Sequence, residues 1–421
     1  MRISTNTIYD AGVRAMQDQT EKLMQVQQQI STGRRILTPA DDPVAAARVL
    51  EVSQAQSLNQ QYTTNTASAG DSLTLEESVL GSVSNMLQDV RDSLVAAGNA
   101  TYNDSDRKAL ASELQGRYQE LLGLANSTDA SGQYMFSGYQ GGVRPFSESA
   151  PGQVQYNGDQ GQRLIQVSPA RQIAISDAGV NIFQTIPSGN GTFATQAPST
   201  NNGTAVIDAG TVLAPSNWND PSNNKDFTIK FAVNGGITTY DIIDNVSGNS
   251  LLTGAAPAGA PYPRTYVPGS NIDFAQVGPP AFDFGAQVSI SGAPADGDTF
   301  TVKASTNQDI FKTLSDVINL LNTAPSGAKL SNGLASALTN MDNSIANVLT
   351  VRTSTGARLK ELDSVKNAND DRALTYSQTL STLQDLDYAK AASELAQQQV
   401  NLEAAQKSFS KVAGLSLFNY I

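Results

Sequence analysis

Two adjacent carboxylates, Asp41 and Asp42, could act as a catalytic acid and base pair. Such a pair works when the environment separates the pKa values of its two members. Here the two residues stand directly before Pro43. An aspartate followed by proline is typical of a helix start, because the carboxylate accepts backbone N–H groups that have no partner in the helix. We therefore predict a helix-capping turn at this pair and no catalysis.

Other common catalytic groups are absent or poorly placed. The chain has no histidine and no cysteine, which removes the usual general base, thiolate nucleophiles and the commonest metal ligands. The glycine-rich stretch 138–142 follows no clear strand and opens no helix, which favours a hinge over a phosphate-binding loop. No Ser-x-x-Lys stands in a recognisable catalytic motif with a third group that could orient it. We predict no catalytic, cofactor-binding or metal-binding residues, and we expect that the protein is not an enzyme.

The charge balance restricts the partners of the chain. Lysine and arginine number 27 against 39 aspartates and glutamates, a formal net charge of −12. This charge repels nucleic acid phosphates and anionic lipid. No stretch approaches the roughly 18 consecutive apolar residues of a membrane span, and residues 1–29 lack the pattern of a secretory signal. We predict no nucleic-acid partner, no membrane insertion, and export, if it occurs, by a route without a cleaved signal peptide.

The first 30 residues carry an apolar stripe at helical spacing, with several members seven residues apart. Polar residues dilute the stripe, so the isolated segment should be only marginally helical in water. Inter-subunit packing explains such a stripe better than closure of a compact core, although an intramolecular core is the alternative. We call this set the N-terminal seam, and we predict that it functions in assembly: Tyr9, Val13, Met16, Leu23 and Ile30.

A long helix is predicted from Pro43 to about Ala97. Its clearest feature is the leucine heptad from Leu73 to Leu94, which indicates packing against a partner helix. A third helix should follow, capped by Asp104 or Ser105. Together these helices predict an antiparallel helical hairpin.

Helical periodicity disappears near residue 130, and short alternating runs separated by turn residues replace it. We predict hairpins over 153–175, with Asn157-Gly158 as a turn. An all-β insertion should continue to about residue 302, and its strands are predicted at Phe227–Phe231, Thr239–Ile243, Val288–Ile290 and Thr299–Val302.

Helical patterns resume at about Asn307 and continue to Gly414. The last pattern places four apolar residues seven apart, which is again typical of a coiled coil. We call these residues the C-terminal seam and also assign them to assembly: Tyr388, Leu395, Leu402 and Phe409.

The predicted fold class is mainly α with a β insertion. Both termini should build a long antiparallel, coiled-coil-like helical rod that carries an all-β domain in the middle of the chain. We predict three domains: a terminal coiled-coil domain over 1–40 and 385–421, expected to be disordered in the isolated monomer; a helical rod domain over 41–146 and 307–384; and a β-rich outer domain over 147–306.

Several motifs in the two helical regions resemble the flagellin superfamily. These are Met1-Arg-Ile-Ser-Thr5, Gln29-Ile-Ser-Thr-Gly-Arg34 and Leu37-Thr-Pro-Ala-Asp-Asp-Pro-Val-Ala-Ala46. Within the superfamily, the turn at 38–43, Gly132-Gln-Tyr-Met-Phe-Ser-Gly-Tyr139 and Gly414-Leu-Ser-Leu-Phe-Asn-Tyr-Ile421 look like the hook-associated protein 3 family. The resemblance covers residues 1–146 and 307–421, whereas the β insertion is only generally similar to outer domains of flagellar axial proteins.

The resemblance implies a structural subunit of the bacterial flagellum at the hook–filament junction. Its expected partners are other copies of itself in a ring, the first hook–filament junction protein, flagellin, and an export chaperone before secretion. Its expected location is extracellular, after type III export of the unfolded chain. Three alternatives stay open: a filament-forming flagellin, a secreted fibre or adhesin whose β domain binds a ligand, and a hydrolase of extracellular polymers.

Overall fold

The computed structural model describes residues 5–99, 101–150, 152–257 and 259–414, and these form two compact units. The terminal unit comprises described residues within 1–67, 166–171 and 363–421. The central unit comprises described residues within 68–165 and 172–362. Residues 1–4 and 415–421, which contain most of the first and last motifs of the family resemblance, lie outside the described residues.

Long helices occupy both ends of the described chain, and short strands occupy its middle. The helices are α1 (Thr5–Thr32), α2 (Pro43–Ala97), α3 (Asp104–Ala125), α4 (Gly179–Phe183), α5 (Pro215–Trp218), α6 (Ile310–Thr323), α7 (Ala328–Gln384) and α8 (Tyr388–Gly414). The strands are β1 (Phe146–Ala150), β2 (Gln153–Tyr156), β3 (Leu164–Ser168), β4 (Arg171–Ala174), β5 (Ile186–Pro187), β6 (Phe193–Gln196), β7 (Val206–Ile207), β8 (Thr211–Val212), β9 (Asp226–Asn234), β10 (Ile237–Asp244), β11 (Arg264–Thr265), β12 (Asn271–Gln276), β13 (Phe282–Ser291), β14 (Thr299–Ala304) and β15 (Asn307–Gln308). The predicted class, mainly α with a β insertion, is confirmed.

Helix starts follow the capping residues, with one correction. The Asp42 carboxylate accepts the N–H of Ala45 at 3.0 Å, and α2 begins at Pro43 as predicted. The cap of α3 is Asn103, not Asp104 or Ser105: its side chain accepts backbone N–H groups of the first turn, and Asp106 bonds back to the Asn103 N–H. All four residues from 103 to 106 are good capping types, so sequence alone does not distinguish between them.

A seven-residue repeat of buried positions follows almost the whole of α2. The sequence predicted it from Leu73 to Leu94, but it begins at Ala45. Two of the added positions, Asn59 and Thr66, are polar, and both are buried. The Asn59 side-chain amide donates to a backbone carbonyl of α7 at 2.8 Å, which satisfies it inside the packed terminal unit. A search for apolar heptads therefore finds only the second half of the repeat.

Aromatic rings fill the centre of the helical part of the central unit. The ring of Phe146, on β1, lies 5.2 Å from that of Tyr156 and 5.4 Å from those of Phe183 and Phe311. Tilted and edge-to-face contacts of this kind add to the free energy gained by removing the rings from water. The hydrophobic core that contains them joins α3 and α6 to the buried faces of α2 and α7.

The β region of the central unit contains two antiparallel sheets that share one core. The five-stranded sheet has the order β11-β10-β9-β14-β6, and the four-stranded sheet has β12-β13-β7, with β8 also paired to β13. Alternate residues of β9, Phe227, Ile229 and Phe231, are buried with Phe274 of β12. The four strands predicted in this region lie within β9, β10, β13 and β14, so that prediction is confirmed.

The predicted hairpin turn at Asn157-Gly158 is wrong. Strand β2 pairs with the preceding β1, and β3 pairs with the following β4. The Asn157 amide donates back to the Ser147 hydroxyl on β1 at 2.9 Å, so the dipeptide ends a strand instead of connecting two partners. A turn signal specifies a local backbone shape and leaves strand pairing to tertiary contacts.

Asparagines on one side of α7 bind the backbone of the strand region within the central unit. Asn332 donates to a carbonyl beside β7 at 2.9 Å and accepts an N–H from β7 at 3.0 Å. Asn343 donates to the Pro187 carbonyl at 2.8 Å, and Asn347 donates to two carbonyls of α4 at 2.9 Å. Asn340 accepts an N–H at 3.1 Å. These side chains form the hydrogen bonds that a neighbouring strand would otherwise provide to those backbone groups.

A carboxylic acid interrupts the buried face of α2. Glu76 is 1% exposed and accepts the N–H of Asp177 through Oε1 at 3.1 Å, whereas Oε2 has no hydrogen-bond partner among the described residues. Asp177 itself forms an ion pair with Arg358. Burial, and secondarily the negative charge of Asp177, raise the pKa of the Glu76 carboxyl to about 8. At neutral pH Glu76 is therefore mainly protonated.

We predict that Glu76→Gln removes a pH dependence of folding stability. The folded state keeps the Glu76 proton up to pH 8, whereas the unfolded chain releases it near the ordinary value of 4.5. The stability that this proton contributes is complete below the lower value and falls as pH rises towards the upper one, by at most about 1.4 kcal/mol per pH unit. Urea unfolding at a series of pH values should therefore show a flatter profile for the variant.

The matched control is Asp71→Asn, on the exposed side of the same helix. It should leave the slope between these pH values unchanged. An unaltered slope in Glu76→Gln would show that another group titrates in this range.

Candidate assembly surface

Both predicted seams lie in the terminal unit, on α1 and α8. Four residues of the N-terminal seam are half-buried, and Tyr9 is 53% exposed. In the C-terminal seam Leu395, Leu402 and Phe409 are half-buried, and Tyr388 is 59% exposed. Neither seam is fully removed from water in the single chain.

Helices α1 and α8 pair in antiparallel orientation. The rings of Tyr9 and Phe409 lie 4.9 Å apart near one end of the pair. The side chains of Gln19 and Gln398 form a hydrogen bond further along. A Cβ atom added to Gly12 would lie 2.8 Å from the Phe409 ring, so a glycine is needed there for the close approach. The structure thus brings the outer ends of the two seams together within one chain.

The face of α1 in this pair includes positions that the sequence analysis missed. Gly12, Gln19 and Val26 on α1 and Gly33 directly after it are spaced seven apart, and Val26 is buried. The first, second and fourth approach residues of α8. Gly12, Gln19 and Gly33 are small or polar, so they do not stand out in an apolar stripe. Their spacing of seven residues is the one signal that the sequence carries for this row.

The connector between α1 and α2 pairs with the connector between α7 and α8. Arg34 and Asp385 form an antiparallel β-bridge, in which the Arg35 N–H donates to the Gln384 carbonyl at 2.7 Å. In return the Leu386 N–H donates to the Gly33 carbonyl at 3.0 Å. We call these contacts the connector clamp. The clamp lies where α1 ends and directly before α8 begins.

The carboxylate pair Asp41 and Asp42 is part of this connector. Asp41 accepts the backbone N–H groups of Leu37 and Thr38 at 2.9 and 2.8 Å. The hydrogen bond from Thr38 is the main cause that lowers the pKa of Asp41, and it is partly opposed by burial. Asp42 caps α2, as described above. The predicted helix-capping turn is confirmed.

Large apolar side chains remain exposed on the rest of the terminal unit. On α2, Val44 is 80% exposed and Leu50 is 71% exposed. Leu58, Leu374 and Val400 are also exposed. Single exposed apolar residues are common, and residues of this kind become buried where another protein covers them.

Two further properties concern the described residues alone. They include no cluster of three or more acidic side chains arranged to hold a metal ion. None of their helices combines the length and apolar character needed to cross a membrane.

We predict that Gly33→Ala weakens the connector clamp. Gly33 has a φ of +69°, and an added Cβ would lie 2.9 Å from the Tyr388 hydroxyl. The left-handed backbone alone costs a residue with a Cβ about 1–2 kcal/mol. Thermal unfolding followed by circular dichroism should show the terminal helices melting at a lower temperature, ahead of the central unit.

Removing the hydroxyl in Gly33→Ala/Tyr388→Phe should restore part of the loss. Gly116→Ala in α3, where nothing lies within 4 Å of the new Cβ, is the control and should not destabilise the protein. Equal stability of Gly33→Ala and the parent chain would contradict the role of this glycine.

Known proteins with the same organisation are flagellar. Residues 3–141 match the bacterial flagellin N-terminal helical region. Flagellar hook-associated protein 3 of Salmonella typhimurium is 28% identical over 99% of both chains, and that of Escherichia coli is 29% identical over the same share.

Solved structures agree with these similarities. The crystal structure of flagellar hook-associated protein 3 from Legionella pneumophila superposes with a TM-score of 0.70 at 31% identity, over 80% of this chain and 98% of that one. The crystal structure of FlgL from Xanthomonas campestris gives 0.66 at 28% identity, over 78% and 99%. With paired terminal helices, a β-rich middle region and similarity along nearly its whole length, the chain belongs to the flagellar hook-associated protein 3 family.

Proposed function

We propose that this chain is a structural subunit of the bacterial flagellum that joins the hook, through the first junction protein, to the flagellin filament. One observation carries the proposal beyond family membership. The terminal unit pairs α1 with α8 and still leaves apolar side chains of α2, α7 and α8 in water. Contacts with neighbouring subunits would bury them, and many such weak contacts add up around a ring.

The proposed partners follow from the same role. They are other copies of the chain in a ring, the first hook–filament junction protein, flagellin, and an export chaperone before secretion. A similar Legionella pneumophila protein is itself called a flagellar junction protein, which supports this assignment. The proposed location is extracellular, at the hook–filament junction, after export without a cleaved signal peptide.

The domains divide this work between them. Residues 1–40 and 385–421 would form the terminal coiled-coil domain, which orders fully on assembly. Residues 41–146 and 307–384 would form the helical rod domain. Residues 147–306 would form the outer domain.

The role we propose is mechanical, and it requires no catalysis. The acidic pair at Asp41 and Asp42 supports this view, because both carboxylates are used in the turn before α2. The relatives are also named for their place in the flagellum and not for a reaction.

We predict that Leu395→Asp and Leu402→Asp each block incorporation into the flagellum but leave secretion intact. Both residues lie on the C-terminal seam and are half-buried, so a carboxylate there would have to lose water on assembly. Export of an unfolded chain does not depend on the seam. Immunoblots of culture medium and of isolated flagella should show the variant in the medium only, and the cells should not swim.

The matched control is Gln397→Asp, which adds the same charge at an exposed position of the same helix. It should be incorporated normally. Complete filaments from the leucine variants, or an equal defect in the control, would show that the seam is not an assembly surface.

A further inference from the structure

Five Asn-Gly pairs occur in the chain, and the structure places them in different environments. They begin at Asn157, Asn190, Asn202, Asn234 and Asn332. In such a pair the backbone nitrogen of the glycine can attack the side-chain amide carbon of the asparagine, because no Cβ shields the approach. The reaction is intramolecular, so its rate depends on how freely the two groups can meet.

Hydrogen bonds hold both reacting groups at two of the pairs. The Asn190 amide donates to the Ala209 and Gly210 carbonyls, and the following glycine N–H donates to the Ser188 carbonyl at 3.2 Å. The Asn332 side chain is bonded to the β7 region, and its glycine lies inside α7. Reaction at either pair requires several of these hydrogen bonds to break first.

One reacting group is held at each of two other pairs. The Asn157 amide donates to the Ser147 hydroxyl at 2.9 Å and, at the longer distance of 3.4 Å, to the Arg144 carbonyl. At Asn202 the nucleophile is held instead, because the Gly203 N–H donates to the Asp298 carboxylate at 2.9 Å. Comparing these two pairs separates the effect of holding the asparagine side-chain amide from the effect of holding the glycine backbone nitrogen.

Neither group is held at Asn234. This residue ends β9, and it pairs with Ile237 across the two-residue turn Gly235-Gly236. Both glycines have positive φ, 58° and 80°, as the tight hairpin turn requires. Asn234 and both glycines are exposed, and among the described residues no hydrogen bond engages the Asn234 side chain or the Gly235 N–H. Apart from the residues adjacent in the chain, no atom lies within 4 Å of a Cβ built on either glycine.

We propose that Asn234 is a site of spontaneous, self-directed modification in the folded protein. The Gly235 nitrogen forms a bond to Cγ of Asn234 and gives up its proton, the Cγ–Nδ2 bond breaks, and the side-chain nitrogen leaves as ammonia with that proton. Water then opens the cyclic imide to aspartate or isoaspartate. The only co-reactant is water, and no group is oxidised or reduced.

The product changes the hairpin. Either product adds one negative charge to a chain whose net charge is already −12. Isoaspartate also places the former side-chain carbon in the main chain, which lengthens a turn whose length sets the β9–β10 register. Chains would thus acquire an age-dependent change at this exposed turn.

The test is peptide mapping by mass spectrometry of the full chain after incubation in mildly alkaline water labelled with ¹⁸O. In the folded protein we expect conversion at Asn234 to exceed that at Asn157 and Asn202 by about tenfold, roughly the effect of one hydrogen bond that must open. Asn190 and Asn332 should convert more slowly still. In urea, all five pairs should convert at similar rates.

A variant tests the cause at a second pair. Ser147→Ala removes the shorter of the two hydrogen bonds of the Asn157 amide and leaves only the one at 3.4 Å. Conversion there should rise several-fold, while the neighbouring exchange Ser149→Ala should not change it. The ranking in the parent chain needs no variant, so a folding defect in Ser147→Ala leaves the test intact. Conversion at Asn234 no faster than at Asn157 and Asn202 in the folded chain, or the same preference in urea, would overturn the proposal.

Discussion

Antiparallel pairing of α1 with α8 brings the two ends of the described chain into one unit. Two helices can cover only one face of each other. Little apolar surface is buried between α1 and α8, because Gly12 and Gln19 occupy positions where large apolar residues would bury more. The Tyr9 and Phe409 rings meet while Tyr9 stays half in water. A pair of this kind is weak alone and gains most from additional helices packed around it.

Polar residues at buried or half-buried positions give the other contacts their specificity. Asn59 replaces an apolar heptad member in α2 and binds one backbone carbonyl of α7. Asn332, Asn343 and Asn347 bind selected peptide groups of the strand region. Each such group is costly to bury without its partner, so these contacts favour one register of packing over its neighbours.

Local patterns predicted those parts of the fold that local physics decides. Pro43 after Asp42 located the start of α2, and the alternation around Phe227 located β9, because capping and pleating depend on neighbours in the sequence. The pairing of β2 with β1 and the role of Asn157 depend on contacts that form only when the chain folds. The same holds for Glu76, whose position in a leucine heptad reveals neither its burial beside Asp177 nor its raised pKa.

The sequence also indicated part of the contact between α1 and α8, because helical spacing depends on neighbours in the sequence. Leucine and phenylalanine at seven-residue spacing, as at Leu402 and Phe409, indicate a helix face that packs against another helix. The partner's identity is not encoded by spacing. Within one chain the partner of α8 is α1, and in the flagellum we propose that neighbouring subunits complete the packing.

The central claim is that neighbouring subunits complete the packing of α1 and α8. Hydrogen–deuterium exchange of these two helices tests it most directly, in the isolated chain and in assembled hook–filament junctions. If the paired helices are completed by neighbouring copies, their amides should exchange rapidly in the isolated chain and become strongly protected in the assembly, while the central unit is protected in both. Strong protection of α1 and α8 in the isolated chain, unchanged on assembly, would contradict it.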